Sequence, residues 1–127
     1  MARVKQLTVN CENRPGELAR IAKALGDAKV NILGFHATTS GSEGSVHLVV
    51  DNVNKAKKAL HGAGLGHTEA EALRVELPHV PGALGKFAAK LADRGVNINS
   101  GYQTTGKGRK ASVVLTVSDL DKAAKVR

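Results

Sequence analysis

The sequence predicts an α+β fold in which a β-α-β-β-α-β unit occurs twice, each with an antiparallel sheet carrying its helices on one face, and the second copy lacking its last strand. Three observations point there. PGELARIAKALGDAKVNI at 15–32 lies over PGALGKFAAKLADRGVNI at 81–98 with nine of the eighteen positions identical, too close a match for chance. Downstream, SVHLVV at 45–50 lies over SVVLTV at 112–117, and Lys55-Ala56 falls on Lys122-Ala123. Finally, alternating apolar runs and helical stripes follow one another in the same order in both copies. The expected domains are 1–70 and 71–127.

Each element has its own signal. Leu7, Val9 and Cys11, matched by Leu73, Val75 and Leu77, alternate with polar neighbours and predict a first strand with one buried face. Pro15 and Pro81 are expected at the first helical position, where a missing N–H costs nothing. Leu18, Ile21, Ala22 and Leu25 then form one apolar stripe, repeated as Leu84, Phe87, Ala88 and Leu91. A second strand is predicted from about Val30 to Thr39, a turn over Gly41-Ser42-Glu43-Gly44, and a third strand from about Ser45 to Val50. Asn52 or Asn54 can cap a second helix containing Val53, Ala56 and Leu60, with Gly62 and Gly64 as its stop. Leu65 to about Ala70 remain for a short fourth strand. This is the split β-α-β pattern of ferredoxin-like domains. The second copy reaches Arg127 within or just after its second helix, so its uncovered sheet edge is expected to be short, covered or paired with another chain.

The chain has 127 residues, 42% hydrophobic and 24% charged, the balance of a globular protein. Phe35, Phe87 and Tyr102 are the only aromatics, so the core must be aliphatic. Nineteen Lys and Arg against eleven Asp and Glu leave a net charge of +8, which attracts anions without specifying one. With Cys11 the single cysteine, an intramolecular disulfide and a Cys-rich zinc site are excluded, and a reducing compartment is expected. Met1-Ala2-Arg3-Val4-Lys5 alternates apolar and polar residues without a continuous apolar stretch, so neither a signal peptide nor a membrane span is expected. The expected location is the cytoplasm.

The junction of first strand and first helix is the most informative spot: Asn13-Arg14-Pro15-Gly16 in one copy, His79-Val80-Pro81-Gly82 in the other. A helix start offers free N–H groups and the positive end of a dipole to a carboxylate or phosphate, and a glycine lets a ligand approach the backbone. Asn31 and Asn97, at the start of the second strand, offer an amide donor and acceptor. Together these can hold a zwitterion. The same residues also suit a plain helix start and a plain loop end.

In this order and spacing, the strand-turn-helix with Asn13-x-Pro15-Gly16, the helix with Leu18, Ile21 and Leu25, and the Val-Asn-Ile start of the second strand resemble ACT domains, small regulatory modules that bind amino acids and control metabolic enzymes. The resemblance covers nearly the whole chain twice. It implies paired domains, a homodimer, and an amino acid held between the Pro-Gly loop of one domain and a strand of its neighbour. Carried over by position, Arg14, Pro15, Gly16, Glu17 and Leu18 would meet the ligand carboxylate, with Asn13 before them, and Asn31 with Ile32 its ammonium or side chain. Val80, Pro81, Gly82, Ala83 and Leu84, with Asn97 and Ile98, would do so in the second copy. The family usually has Asp or Asn two residues before the proline; His79 stands there in the second copy, preceded by Pro78. With no catalytic or DNA-binding domain seen beside the pair, the chain resembles free-standing tandem ACT proteins, and the expected partner is an unidentified metabolic enzyme.

Other chemistries find less support. His36 and His47 lie on two arms of one predicted hairpin, but zinc needs three or four ligands, and Tyr102 and Val114 occupy the matching places in the second copy. His61, His67 and His79 fall on a helix end and loops, and Cys11 aligns with Leu77, so no metal or other cofactor is expected. Nucleic acid is not the expected partner: Lys55, Lys57, Lys58 and the Lys107-Gly108-Arg109-Lys110 tip are basic, but Tyr102 alone is available for stacking. An enzyme is not expected either, for want of a Ser-His-Asp order, a P-loop or a paired acidic motif. The predicted function is therefore a non-catalytic amino-acid-binding regulator; the alternative is an interaction or assembly module of the same fold without a ligand, touching nucleic acid weakly through its basic surface.

Overall fold

The computed structural model describes residues 1–126. The chain divides into two compact units, Lys5–Ala70 and Met1–Val4 with Glu71 onward. We call them the first and second unit.

In the first unit, β1 (Ala2–Glu12, from Lys5 on) leads into α1 (Glu17–Asp27), β2 (Ile32–Ser40), β3 (Glu43–Val50) and α2 (Val53–Gly62). The strand order is β2-β3-β1, both pairings antiparallel. Leu7 and Val9 of β1 and Val46, Leu48 and Val50 of β3 turn to one face. There they pack with Ile21 and Leu25 of α1 and Ala56 and Leu60 of α2. Each fully buried leucine contributes roughly 1.5–3 kcal/mol, so this helix-on-sheet layer carries the unit. Cys11 packs half-buried against the same core, as a small hydrophobe.

The second unit repeats the plan with β4 (His67–Pro78, from Glu71 on), α3 (Ala83–Asp93), β5 (Ile98–Thr105), β6 (Lys110–Val117) and α4 (Leu120–Ala124). The order is β4-β6-β5, and Leu73, Val75, Val113 and Leu115 meet Phe87, Leu91 and Ala123 in its core. α4 has no strand after it among the described residues. Instead Met1–Val4 belong to this unit, with Arg3 reaching Glu71 at 3.7 Å and Asp121 at 2.5 Å. His67–Ala70 correspondingly belong to the first unit, where Glu69 meets Lys5 at 3.9 Å and Lys57 at 3.1 Å.

Local chemistry explains the element ends. The Asn52 side chain accepts from the Lys55 amide and caps α2, and Asp119 does the same for α4 through Lys122. Gly64, at φ +72°, turns the chain out of α2. Three expectations are revised. Pro15 and Pro81 do not open the helices; the glycine after each is the N-cap in a left-handed conformation, and the helix starts one residue later. Leu65–Ala70 is not a separate short strand, since β4 runs unbroken from His67 into the second copy. Leu18 and Leu84 belong by spacing to the buried stripe yet are 40% and 52% exposed, because the sheet-facing cores are closed one turn further along, by Ile21 and Phe87.

Candidate functional site

After β1 the chain turns sharply. The Arg14 amide donates to the Glu12 carbonyl at 3.0 Å, and Asn13 donates from its backbone to Ser42 O and from Nδ2 to Gly41 O, both at 2.9 Å. The loop is thereby held to the β2–β3 turn. Gly16 follows at φ +89°, a conformation that only glycine takes without strain. Arg20 is the first residue whose amide enters the helical ladder, on Gly16 O at 3.0 Å. Ahead of it, the Glu17, Leu18 and Ala19 amides have neither a backbone acceptor nor a side-chain cap among the described residues. Three donors at a positive dipole end are thus left for an external acceptor.

Beside them opens a cavity of about 860 Å³ lined by Asn10, Cys11, Glu12, Asn13, Arg14, Glu17, Arg20, Ser42, Glu43 and Gly44. The Glu17 carboxylate, buried to 8% exposure, is flanked by Arg14 Nε at 2.9 Å and Arg20 Nε at 3.2 Å, and Arg14 also reaches Glu12 at 3.4 Å. The hydrogen bond to Glu17 and the field of Glu12 raise the Arg14 pKa, so its charge is permanent. Glu43 stands opposite Glu12 in the β1–β3 register and has no ion pair among the described residues. The cavity thus carries carboxylates and two arginines on its wall and meets the uncapped helix start at Glu17, with Leu18 and Ala19 following in sequence outside its lining, a mixture of charges complementary to a small molecule bearing both signs.

Of the predicted residues, Asn13, Arg14 and Glu17 line this cavity, while Pro15, Gly16 and Leu18 adjoin it in sequence without lining it. Asn31 and Ile32 are not brought to it. The Asn31 amide donates to Asp51 Oδ1 at 3.0 Å and its carbonyl accepts from Asp51 N at 3.1 Å, which ties the start of β2 to the end of β3. Asn10, Cys11, Glu12, Arg20, Ser42, Glu43 and Gly44 were missed. Arg20 sits one helical turn from Glu17 and could have been found by its spacing, whereas Glu43 enters only through the pairing of β3 with β1.

The second unit copies the backbone but not the chemistry. Gly82 stands at φ +87° and the His79 amide donates to Arg109 O at 2.9 Å, as Asn13 does to Ser42. Yet Val80 and Ala83 replace Arg14 and Glu17, and the Ala83 amide is already used by Val80 O at 3.3 Å. Its predicted residues scatter. His79 lines a hollow of about 270 Å³, Val80, Pro81 and Ala83 another of about 390 Å³, and Leu84 and Ile98 a third of about 410 Å³. Gly82 and Asn97 line none of these, and Asn97 instead donates to Ser118 Oγ and Asn99 Oδ1. No group of three or more His, Cys, Asp or Glu able to hold a metal exists among the described residues, and no helix there is long and apolar enough to cross a membrane.

Two ferredoxin-like repeats, each with a glycine-turned helix start beside the sheet, are the architecture of a regulatory ligand-binding domain. The chain belongs to the ACT domain family, whose model matches residues 5–60 and again 72–126. Among solved structures it is similar to protein BT0572 from Bacteroides thetaiotaomicron, at 28% identity and a TM-score of 0.90 over 97% of this chain and 85% of that one. It also resembles in fold the regulatory subunit of aspartate kinase from Thermus thermophilus in its ligand-free form, at 20% identity and a TM-score of 0.66 over 89% and 82%. The aspartokinase alpha and beta subunits share the fold at 17% identity and a TM-score of 0.60, over 91% and 86%. No curated protein matches the chain significantly.

Proposed function

We propose that this protein is an amino-acid sensor whose ligand binds in the first unit. The ligand carboxylate takes the Glu17, Leu18 and Ala19 amides beside Gly16, and its ammonium lies toward Glu12 and Glu43. The observation that carries this reading is the uncapped helix start next to a cavity lined by the Glu12 and Glu43 carboxylates. Arg14 and Arg20, by fixing Glu17, shape the wall between the two ends of the ligand. The second unit, with Val80 and Ala83 in place of the ionic pair, serves as scaffold and assembly surface. Assembly as a homodimer, a cytoplasmic location and a separately encoded metabolic enzyme as the regulated partner belong to the same reading.

Binding to the folded state alone raises its stability by about 2.7 kcal/mol at a hundred times the dissociation constant, a shift of several degrees in melting temperature. A thermal screen of the twenty amino acids is therefore expected to single out one or a few. The shift should shrink in the Glu12→Gln/Glu43→Gln variant, whose fold keeps the same backbone. A flat screen overturns the sensor.

The groove of about 410 Å³ between α3 and β5, with Leu84 and Ile98 exposed at its rim, favours a second reading, an assembly module without a ligand. Under that reading the mass measured by light scattering exceeds one chain and no amino acid changes either mass or melting temperature.

A further inference from the structure

Most of the chain's +8 charge falls in the second unit, and part of it, Arg74 with Lys107 and Lys110, gathers around one hollow. Leu73 and Val75 point into the core, so Arg74 between them projects from the opposite face, as do Ser112 and Val114 of β6. Arg74 is half-buried. Its Nε donates to Ser112 Oγ at 2.7 Å, and Ser112 is fully buried, so one edge of the guanidinium is fixed. Next to it the β5–β6 turn carries Lys107 and Lys110. A cavity of about 530 Å³ opens between them, lined by Arg74, Glu76, Lys107 and Lys110 with Met1 and Ala2. None of the three cations has a carboxylate within ion-pair distance among the described residues.

Unpaired cations around one hollow repel each other unless an anion is shared. In the first copy the places of Arg74 and Lys110 are held by Thr8 and Glu43, and Lys107 sits in the one-residue insertion, so the cluster is no part of the duplicated plan. We propose that this cavity is a second ligand site, for a small molecule bearing a di- or triphosphate group. Arg74 offers its fork to a terminal phosphate, and Lys107 and Lys110 neutralise the rest from the turn. A hollow of this size suits a compact phosphate chain, whereas a strand of nucleic acid needs a long groove with stacking rings. Glu76 in the wall opposes any anion and sets the site below its full affinity.

Titration calorimetry of the full chain with inorganic tripolyphosphate at low ionic strength tests the proposal. Saturable one-to-one binding is expected. K107Q/K110Q should weaken it by about tenfold or more, the loss expected for charge-assisted contacts. Arg74→Gln should do likewise, and Arg74→Lys, which keeps the charge and loses the fork, by less. Glu76→Gln should tighten binding. K55Q/K58Q on α2 removes the same two charges from the first unit and should leave affinity within about twofold. Equal weakening by both lysine pairs would mean that the whole charged surface attracts the probe, and would overturn the site. So would the absence of saturable heat, or saturable binding of a short single-stranded oligonucleotide with tripolyphosphate silent.

Discussion

The Asn13 side chain donates to the Gly41 carbonyl at 2.9 Å, so the loop that presents α1 and the turn between β2 and β3 move as one body. Its repeat counterpart His79 makes the backbone contact alone. Asn13→Ala is therefore expected to lower stability by about 1 kcal/mol, as loss of one modest hydrogen bond does, and His79→Ala by less than about 0.5 kcal/mol. Urea denaturation of the two variants side by side checks the order; equal losses would contradict it.

Among the described residues Glu17 is the one buried carboxylate, and two exposed arginines share it. Removing the shared partner breaks both contacts, whereas removing either arginine leaves the other in place. Glu17→Ala should cost about 1.5–3 kcal/mol, and Arg14→Ala or Arg20→Ala each clearly less. Thermal unfolding that ranks an arginine variant below Glu17→Ala would count against the arrangement.

His47 introduces a pH dependence. Its Nδ1 lies 2.9 Å from Thr8 Oγ1, its ring stacks on His36 with centroids 6.1 Å apart, and burial followed by the charge of His36 lowers its pKa below 6.5. The unfolded chain then binds the proton more readily than the folded one. This contribution to stability is complete above 6.5 and drains away as pH falls through the unfolded value toward the folded one. Melting temperature is expected to drop between about pH 8 and about pH 5, less so in His36→Gln and least in His47→Gln. An identical slope in all three would remove His47 as the cause.

Depth in the core separates two leucines seven residues apart on one helix. Leu25 is fully buried and Leu18 is 40% exposed. Leu25→Ala should cost about 2–5 kcal/mol and Leu18→Ala less than about 1 kcal/mol, by denaturant titration.

Two glycines differ in what a side chain would meet. At Gly106 a Cβ would press on the Lys110 backbone, within 2.8 Å of its carbonyl carbon, and at Gly101 on the movable Leu115 Cδ2 at 2.7 Å. Gly106→Ala is expected to lose roughly 1–3 kcal/mol and Gly101→Ala clearly less, both read from melting curves.

The duplication made most of this legible. Alternation at Leu7, Val9, Leu73 and Val75 located the central strands, and Asn52 declared the α2 cap. The glycine-proline turns marked the helix starts to within a residue or two, but whether Pro15 or Gly16 is the cap depends on a backbone angle that residue type alone does not set. The part of the cavity supplied by the β2–β3 turn and β3 was out of reach for a different reason. Glu43 and Ser42 are remote from Arg14 in the chain and join it only when β3 lies beside β1. Asn31 was grouped with them because its position between helix and strand is shared by both copies, yet its backbone is committed to Asp51.

Met1–Val4 pack with the far half of the molecule, where Arg3 bridges Glu71 and Asp121. Splitting the gene between codons 70 and 71 would consequently not yield two self-sufficient products. The downstream fragment would be born missing a piece encoded at the opposite terminus, and the upstream one would keep a short tail with no home.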